Sequence, residues 1–205
     1  MGNKLKAKVT VRGVRPLLWC HFGDDAIPLE PGEKTGRAGN DPEEWRRTVL
    51  VTKAGQLFVE PTYIFGCIRD GARNVKQGKG SISKVVAATL QVTDNAVLFP
   101  LFMPGANGSY DVKAALPPPR DPTLPVYLDV RGVVNPNSRA RNIRYRVAAA
   151  PGWETTFNLL WDKTVVNRDL MKAAVIEAGS LSGLGDGRGI GFGRFEVVDF
   201  EVIDA

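Results

Sequence analysis

Glycine recurs at every second position of Gly183-Leu184-Gly185-Asp186-Gly187-Arg188-Gly189-Ile190-Gly191-Phe192-Gly193, and Arg194-Phe195 follow. Glycine reaches backbone angles closed to other residues, and it lets a second backbone or a phosphate come close. The stretch therefore reads as a loop whose course is set by close approach. Arg188 and Arg194 place positive charge in this side-chain-poor segment. Bare amides in such a loop can form an anion-binding nest. Glycines packing a strand against a helix would leave the same pattern, and different glycines can serve the two purposes. No G-x-G-x-x-G can be drawn through the run, and it lacks the Lys-Ser/Thr ending of a Walker loop, so a nucleotide cofactor is not expected.

The balance of charge points the same way. Lysine and arginine number 27 against 22 acids, a formal net charge of +5, with a pI near 9.3. That favours a polyanionic partner without specifying a fold. A hydrophobic fraction of 43% is enough for a core. The two cysteines, Cys20 and Cys67, form no CxxC pair, which argues against a disulfide framework and fits a reducing compartment. No run of about 18 apolar residues marks a membrane span, and the charged start lacks the apolar core of a leader peptide. The expected location is the cytoplasm.

Along the chain, residues 5–14 alternate between Leu5, Ala7, Val9, Val11 and Lys6, Lys8, Thr10, Arg12, the mark of a half-buried strand. Residues 28–47 are rich in proline, glycine and charge and read as a long loop. Thr48–Val51 and Gln56–Val59 read as a hairpin about Lys53-Ala54-Gly55. Thr62 reads as the cap of a helix from Tyr63 to Asn74. Its basic residues Arg69, Arg73 and Lys76 fall on one face at spacings of four and three. Residues 85–99 read as strand, and 104–125, with three successive prolines, as an exposed insertion. Strands at 126–134 and 143–149 flank a basic loop containing Arg139 and Arg141, with Arg144 and Arg146 beyond it. A strand at 155–161 precedes an Asn167-capped helix over 168–178. In the last strand the alternation slips between Val197 and Val198, which suggests a bulge. Helices among antiparallel strands make the class α+β, a single domain over 1–205 with insertions near 28–47 and 100–146.

Two segments resemble one family. In Leu57-Phe58-Val59-Glu60-Pro61-Thr62-Tyr63-Ile64-Phe65-Gly66-Cys67-Ile68-Arg69-Asp70-Gly71-Ala72-Arg73 a strand runs through proline into a helix bearing glycine and basic residues. In Leu181–Phe195 a helix leads through a glycine-rich, arginine-bearing loop into the last strand. Together they resemble the RAMP superfamily of CRISPR-associated proteins, most of all its effector-complex backbone subunits. Pro61, Gly66, Arg69, Arg73, Gly185, Arg188, Gly191, Gly193 and Arg194 fall on the pattern. Thr62-Tyr63 and Phe65 stand where the family often carries paired serines and a lysine.

The resemblance implies a ferredoxin-like, RRM-type domain. It also implies a noncatalytic subunit that holds guide RNA by its sugar-phosphate backbone. Partners would be further copies, other effector subunits and a target nucleic acid paired to the guide. Arg69, Arg73, Arg188 and Arg194 with the amides of the glycine loop (Gly185, Gly187, Gly189, Gly191) are then the expected phosphate contacts, supplemented by Lys76 and the basic hairpin. Tyr63, Phe65 and Phe192 are placed to stack on bases. Trp19, Trp153, Trp161 and Phe157 sit in strand patterns and are expected in the core.

Two other readings stay open. The first is an endoribonuclease. It would use His21, the only histidine, as acid or base to process guide RNA, or an acid near it (Asp24, Asp25 or Asp41) with a divalent ion to cut a target. The second is an assembly protein without nucleic acid. One histidine and two distant cysteines do not make a usual zinc site, so no metal or other cofactor is expected.

Overall fold

The computed structural model describes residues 3–21, 41–103, 124–134, 139 and 141–204. Asp24, Asp25, most of the 28–47 loop, the proline-rich 104–123 stretch and the tip of the basic hairpin lie outside them. In chain order the strands and helices are β1 Lys4–Gly13, β2 Leu17–Leu18, α1 Glu44–Thr48, β3 Gln56–Val59, α2 Pro61–Gly71, β4 Lys76–Gln77, β5 Gly80–Ser81, α3 Ser83–Thr89, β6 Gln91–Val92, β7 Val97–Phe102, β8 Val126–Val134, β9 Arg141–Ala149, β10 Glu154–Asp162, α4 Arg168–Glu177 and β11 Phe195–Asp204. The chain divides into two compact units. The first comprises Met1–Leu17, Phe58–Pro100 and Pro151–Ala205; the second comprises Leu18–Leu57 and Leu101–Ala150.

The first unit is built on a four-stranded sheet of order β11-β1-β10-β6, antiparallel at each pairing. In chain order these strands are β1, β6, β10 and β11. Helices α2 and α3 lie between the first two in sequence, and α4 lies between the last two. That is the βαββαβ arrangement of a ferredoxin-like fold, in an α+β chain as expected.

Alternation explains why the sheet has one dry face. Ala7, Val9 and Val11 of β1 are buried, as are Thr155, Phe157, Leu159 and Trp161 of β10, while Lys4, Lys6, Lys8 and Arg12 are exposed. Ile64, Cys67 and Ile68 of α2 and Met171, Ala174 and Val175 of α4 are also buried. Trp161 is fully buried, its indole donating to the Val166 carbonyl at 2.9 Å. The expected slip in β11 is present. Thr10 faces Asp199 and Val11 faces Val197, which leaves Val198 as the extra residue.

The helices show what local chemistry does at their ends. The Asn167 side chain accepts from the Leu170 amide at 2.9 Å and caps α4, as read from the sequence. The reading of α2 needs correction at both ends. It begins at Pro61, because proline's fixed φ suits the first helical turn, and Glu60 rather than Thr62 precedes it. It ends at Gly71, followed by a turn in which Arg73 N bonds to Asp70 O and Asn74 N to Gly71 O. Lys76 therefore leaves the helix and its supposed shared face with Arg69 and Arg73; it lies exposed in the small β4–β5 hairpin.

Residues 85–99 are also corrected. Two adjacent valines suggest a strand, but Val86 and Leu90 are buried along the short helix α3 and its cap, and strand resumes only at Gln91. Tertiary burial overrides β-branched propensity here.

In the second unit, β8 and β9 form an antiparallel pair running in register from Val126↔Ala149 to Val134↔Arg141. Trp19 is buried, and its amide bonds to Val147 O at 3.0 Å. The expected hairpin over 48–59 shrinks to the single bridge Val51↔Leu57, because Thr48 is consumed as the last residue of α1.

Glycine at position 71 has a packing reason. A Cβ there would run into the backbone of Ala178, where α4 passes into a π-helical turn, Ala178–Ser182. A Cβ at Gly66, in the middle of the same helix, would meet nothing within 4 Å. Gly71→Ala should lower stability by about 1–3 kcal/mol through overpacking. Gly66→Ala should raise it by up to about 1 kcal/mol, the helix propensity difference. Urea unfolding of the two variants checks both signs.

Candidate nucleic-acid interface

The glycine segment is tied down at its two ends and across its middle. Gly183 N donates to Ala178 O at 2.8 Å, Leu184 N to Gly193 O at 2.9 Å, and Gly193 N to Pro16 O at 2.7 Å. Gly193 has φ +67°, and any Cβ would collide with Leu184. Gly193 thus answers to packing. Gly189, by contrast, has open space where a Cβ would stand. Ile190 N and Phe192 N bond to Gly187 O, and Gly191 N to Arg188 O, so a short 3-10 turn at Arg188–Ile190 is internally satisfied. This revises the expectation of a phosphate nest: the Gly191 amide is spent inside the loop.

The remaining part of the segment, Gly185 to Gly189, lines an open polar groove of about 620 Å³ together with Asp70, Arg73 and Arg194. The groove lies wholly within the first unit. Its organising group is Asp70, which the sequence reading passed over. Asp70 Oδ1 faces Arg69 Nη2 and Arg73 Nη2, each at 3.2 Å, and its Oδ2 accepts from Arg188 Nη1 at 3.2 Å. One carboxylate thereby gathers three guanidiniums: Arg69 from the last turn of α2, Arg73 from the turn after it, and Arg188 from a loop 118 residues beyond Asp70. Its signal in the sequence is an acid set between Arg69 and Arg73 on an otherwise basic helix end.

Arg194 also lines the groove. Its carbonyl accepts from Val14 N at 2.8 Å and Arg15 N at 3.2 Å, which fixes its backbone. Its Nη1 is buried with no hydrogen-bond partner among the described residues. Guanidiniums of Arg73, Arg188 and Arg194 outnumber the carboxylates of Asp70 and Asp186 along the groove. The arrangement suits an anion with several acceptor oxygens, such as a phosphodiester. Cys67, beneath, is a packing residue. Burial pushes its thiol up to about 12, with Arg188 and Arg194 pulling the other way, and its Sγ contacts Ala178 O at 3.7 Å.

RRM-type sheets hold RNA by stacking bases on exposed aromatics of their central strands. The central strands here, β1 and β10, present Lys6, Lys8 and Thr10 beside Thr156, Asn158 and Leu160 on the outer face, while Phe157 and Trp161 point inward. The fold is shared with that class, but among the described residues the outer face of these two strands carries no aromatic side chain.

The arginines of the basic hairpin, His21 and Asp41 belong to the second unit. Arg139 and Arg141 are exposed. Arg144 pairs with Glu44, whose carboxylate also accepts from the Tyr145 amide at 3.0 Å. Arg146 is buried, opposite Asp129 in the β8–β9 register, and Asp129 itself is held by Arg131 at 2.5 and 2.6 Å. Two of the four hairpin arginines are thus engaged with the unit's own fold. His21 is half-buried, with its amide bonded to Thr48 O at 2.8 Å, and Asp41 pairs with Arg47 at 2.9 Å. Among the described residues, no three acid, histidine or cysteine side chains are grouped to hold a metal ion.

No protein-family model matches the sequence, and no curated protein matches it. Among solved structures, the chain is similar to a chain in a cryo-EM structure described as "Type III-B Cmr-beta bound to cognate target RNA". Identity is 13% and the TM-score 0.48. The alignment covers 98% of this chain, which spans 61% of the other. No helix among the described residues is long and apolar enough to cross a membrane.

The two cysteines should differ sharply. In the native protein at pH 8 a thiol reagent should modify Cys67 only after denaturation, since it is buried and holds its proton to about 12. Rapid labelling of both thiols without denaturant, read by mass spectrometry, would contradict the burial described here.

Proposed function

We propose that this chain is a noncatalytic RNA-binding subunit of a CRISPR effector, similar to the RAMP backbone subunits. It grips guide RNA by the sugar-phosphate backbone, and copies repeat along the guide. One observation carries the reading. The two segments that resemble the RAMP superfamily lie far apart in sequence, yet their arginines meet around one open groove at Asp70.

The chemistry follows from what lines the groove. Guanidiniums donate in a planar fork that matches phosphate oxygens. Contacts of this kind position a nucleic acid without reading its bases. Sequence choice would come from pairing of the guide with its target, as in other RNA-guided systems. The cytoplasm, other effector subunits and a paired target complete the reading. The second unit is then an elaboration carried by one RAMP-like domain, and its exposed Arg139 and Arg141 are auxiliary contacts to the strand or to a neighbouring copy.

Binding should be sequence-tolerant and strongly weakened by salt. With a labelled single-stranded oligouridylate, the slope of log K against log salt should fall by about 0.7 in Arg188→Ala, one single-strand phosphate contact. Arg146→Ala, a buried residue, should leave the slope unchanged if it folds. Nucleic acid that copurifies with the chain should be RNA of repeated, guide-like sequence. A preparation free of nucleic acid that ignores RNA at low salt would favour the assembly-protein reading instead. Trimming of the oligonucleotide that is lost in His21→Ala would favour the endoribonuclease.

A further inference from the structure

Next to the main groove lies a smaller cavity of about 260 Å³, lined by Thr62, Tyr63, Gly66, Gly185 and Arg188. We propose that it is a nucleoside subsite, in which the base of a single-stranded RNA stacks on the Tyr63 ring while the adjoining phosphate sits in the main groove. The proposal rests on the reading of that groove as a phosphate site.

Three observations carry it. First, Gly185 and Arg188 line both cavities, so the two adjoin along one short stretch of chain. A ligand with an anionic group joined to an uncharged ring would fill both at once. Second, the volume lies a little below the roughly 300 Å³ at which whole small-molecule pockets begin, a fit for one nucleoside unit rather than a larger ligand. Tyr63 is half-exposed and supplies the aromatic face, and base stacking on such a face tolerates any base. This matches backbone binding without sequence preference.

Third, Gly66 is not explained by packing. Glycine weakens a helix interior. At Gly71 the weakness is compensated by the close approach of Ala178, whereas nothing lies within 4 Å of a Cβ at Gly66. A side chain here would project into the cavity instead of against the protein. The missing side chain keeps the floor open for a ligand.

The test measures binding of a labelled twelve-residue oligoadenylate to the whole chain across a salt series. Tyr63→Ala should weaken binding by between about 5-fold and 150-fold, the range for loss of one stacked base, with an unchanged salt slope. Tyr63→Phe, which keeps the ring, should stay within about 2-fold of the parent. Gly66→Leu should block the cavity and weaken binding while melting no lower than the parent, since leucine favours the helix. If Tyr63→Ala and Gly66→Leu bind like the parent while Arg188→Ala still loses affinity and slope, the subsite is wrong and the phosphate groove stands. If Tyr63→Phe is as weak as Tyr63→Ala, the ring is not the contact and stacking is overturned. If Arg188→Ala is also silent, the groove reading falls and takes the subsite with it.

Discussion

The candidate interface depends on one close backbone contact. Helix α2 meets the π-helical turn at Ala178 across a bare Gly71, which faces the Ala178 amide and Cα, while the Cys67 thiol donates to the Ala178 carbonyl. Because no side chain separates them there, the end of α2 lies within reach of the glycine loop, and Arg188 reaches Asp70. A second tight seat, Gly193 against Leu184, folds the loop back on itself and returns the chain to Arg194 and the last strand. Between these seats the chain is free to present Gly185–Gly189 to a ligand.

The charge arrangement on this frame is better suited to orientation than to stability. Arg69, Arg73 and Arg188 are 42%, 66% and 41% exposed in their pairs with Asp70. Ion pairs that wet contribute about 0–1 kcal/mol each. They hold the guanidiniums in place at small cost and can be exchanged readily for phosphate oxygens. The buried Nη1 of Arg194 adds a donor that the described residues leave unmet. A groove of this kind is preorganised for an anion, which reduces the ordering cost of binding.

Much of the scaffold was legible in the chain because it follows from short-range rules. Alternation marked β1 and β10, the phase slip at Val197–Val198 marked the bulge, and Asn167 marked the start of α4. What escaped depends on partners far away in sequence. The end of α2 at Gly71, short of Lys76, and the helical state of Ser83–Thr89 are decided by what those turns bury. Asp70 looked like one acid among bases; its role appears only when Arg188 arrives from the opposite end of the chain. Likewise, Arg144 and Arg146 read as a basic patch, but Arg144 pairs with Glu44 and Arg146 is buried in the second unit's own fold.

Where a nucleic acid lies against the protein distinguishes this groove from the rest of the surface. Photocrosslinking with RNA containing 4-thiouridine, followed by mass spectrometry of the modified peptides, addresses that directly. Crosslinks should fall in two stretches, around Tyr63–Arg73 and around Leu181–Phe195. Crosslinks confined to Arg139–Arg146 or to the outer sheet face, with both of those stretches unmodified, would contradict the groove as the interface.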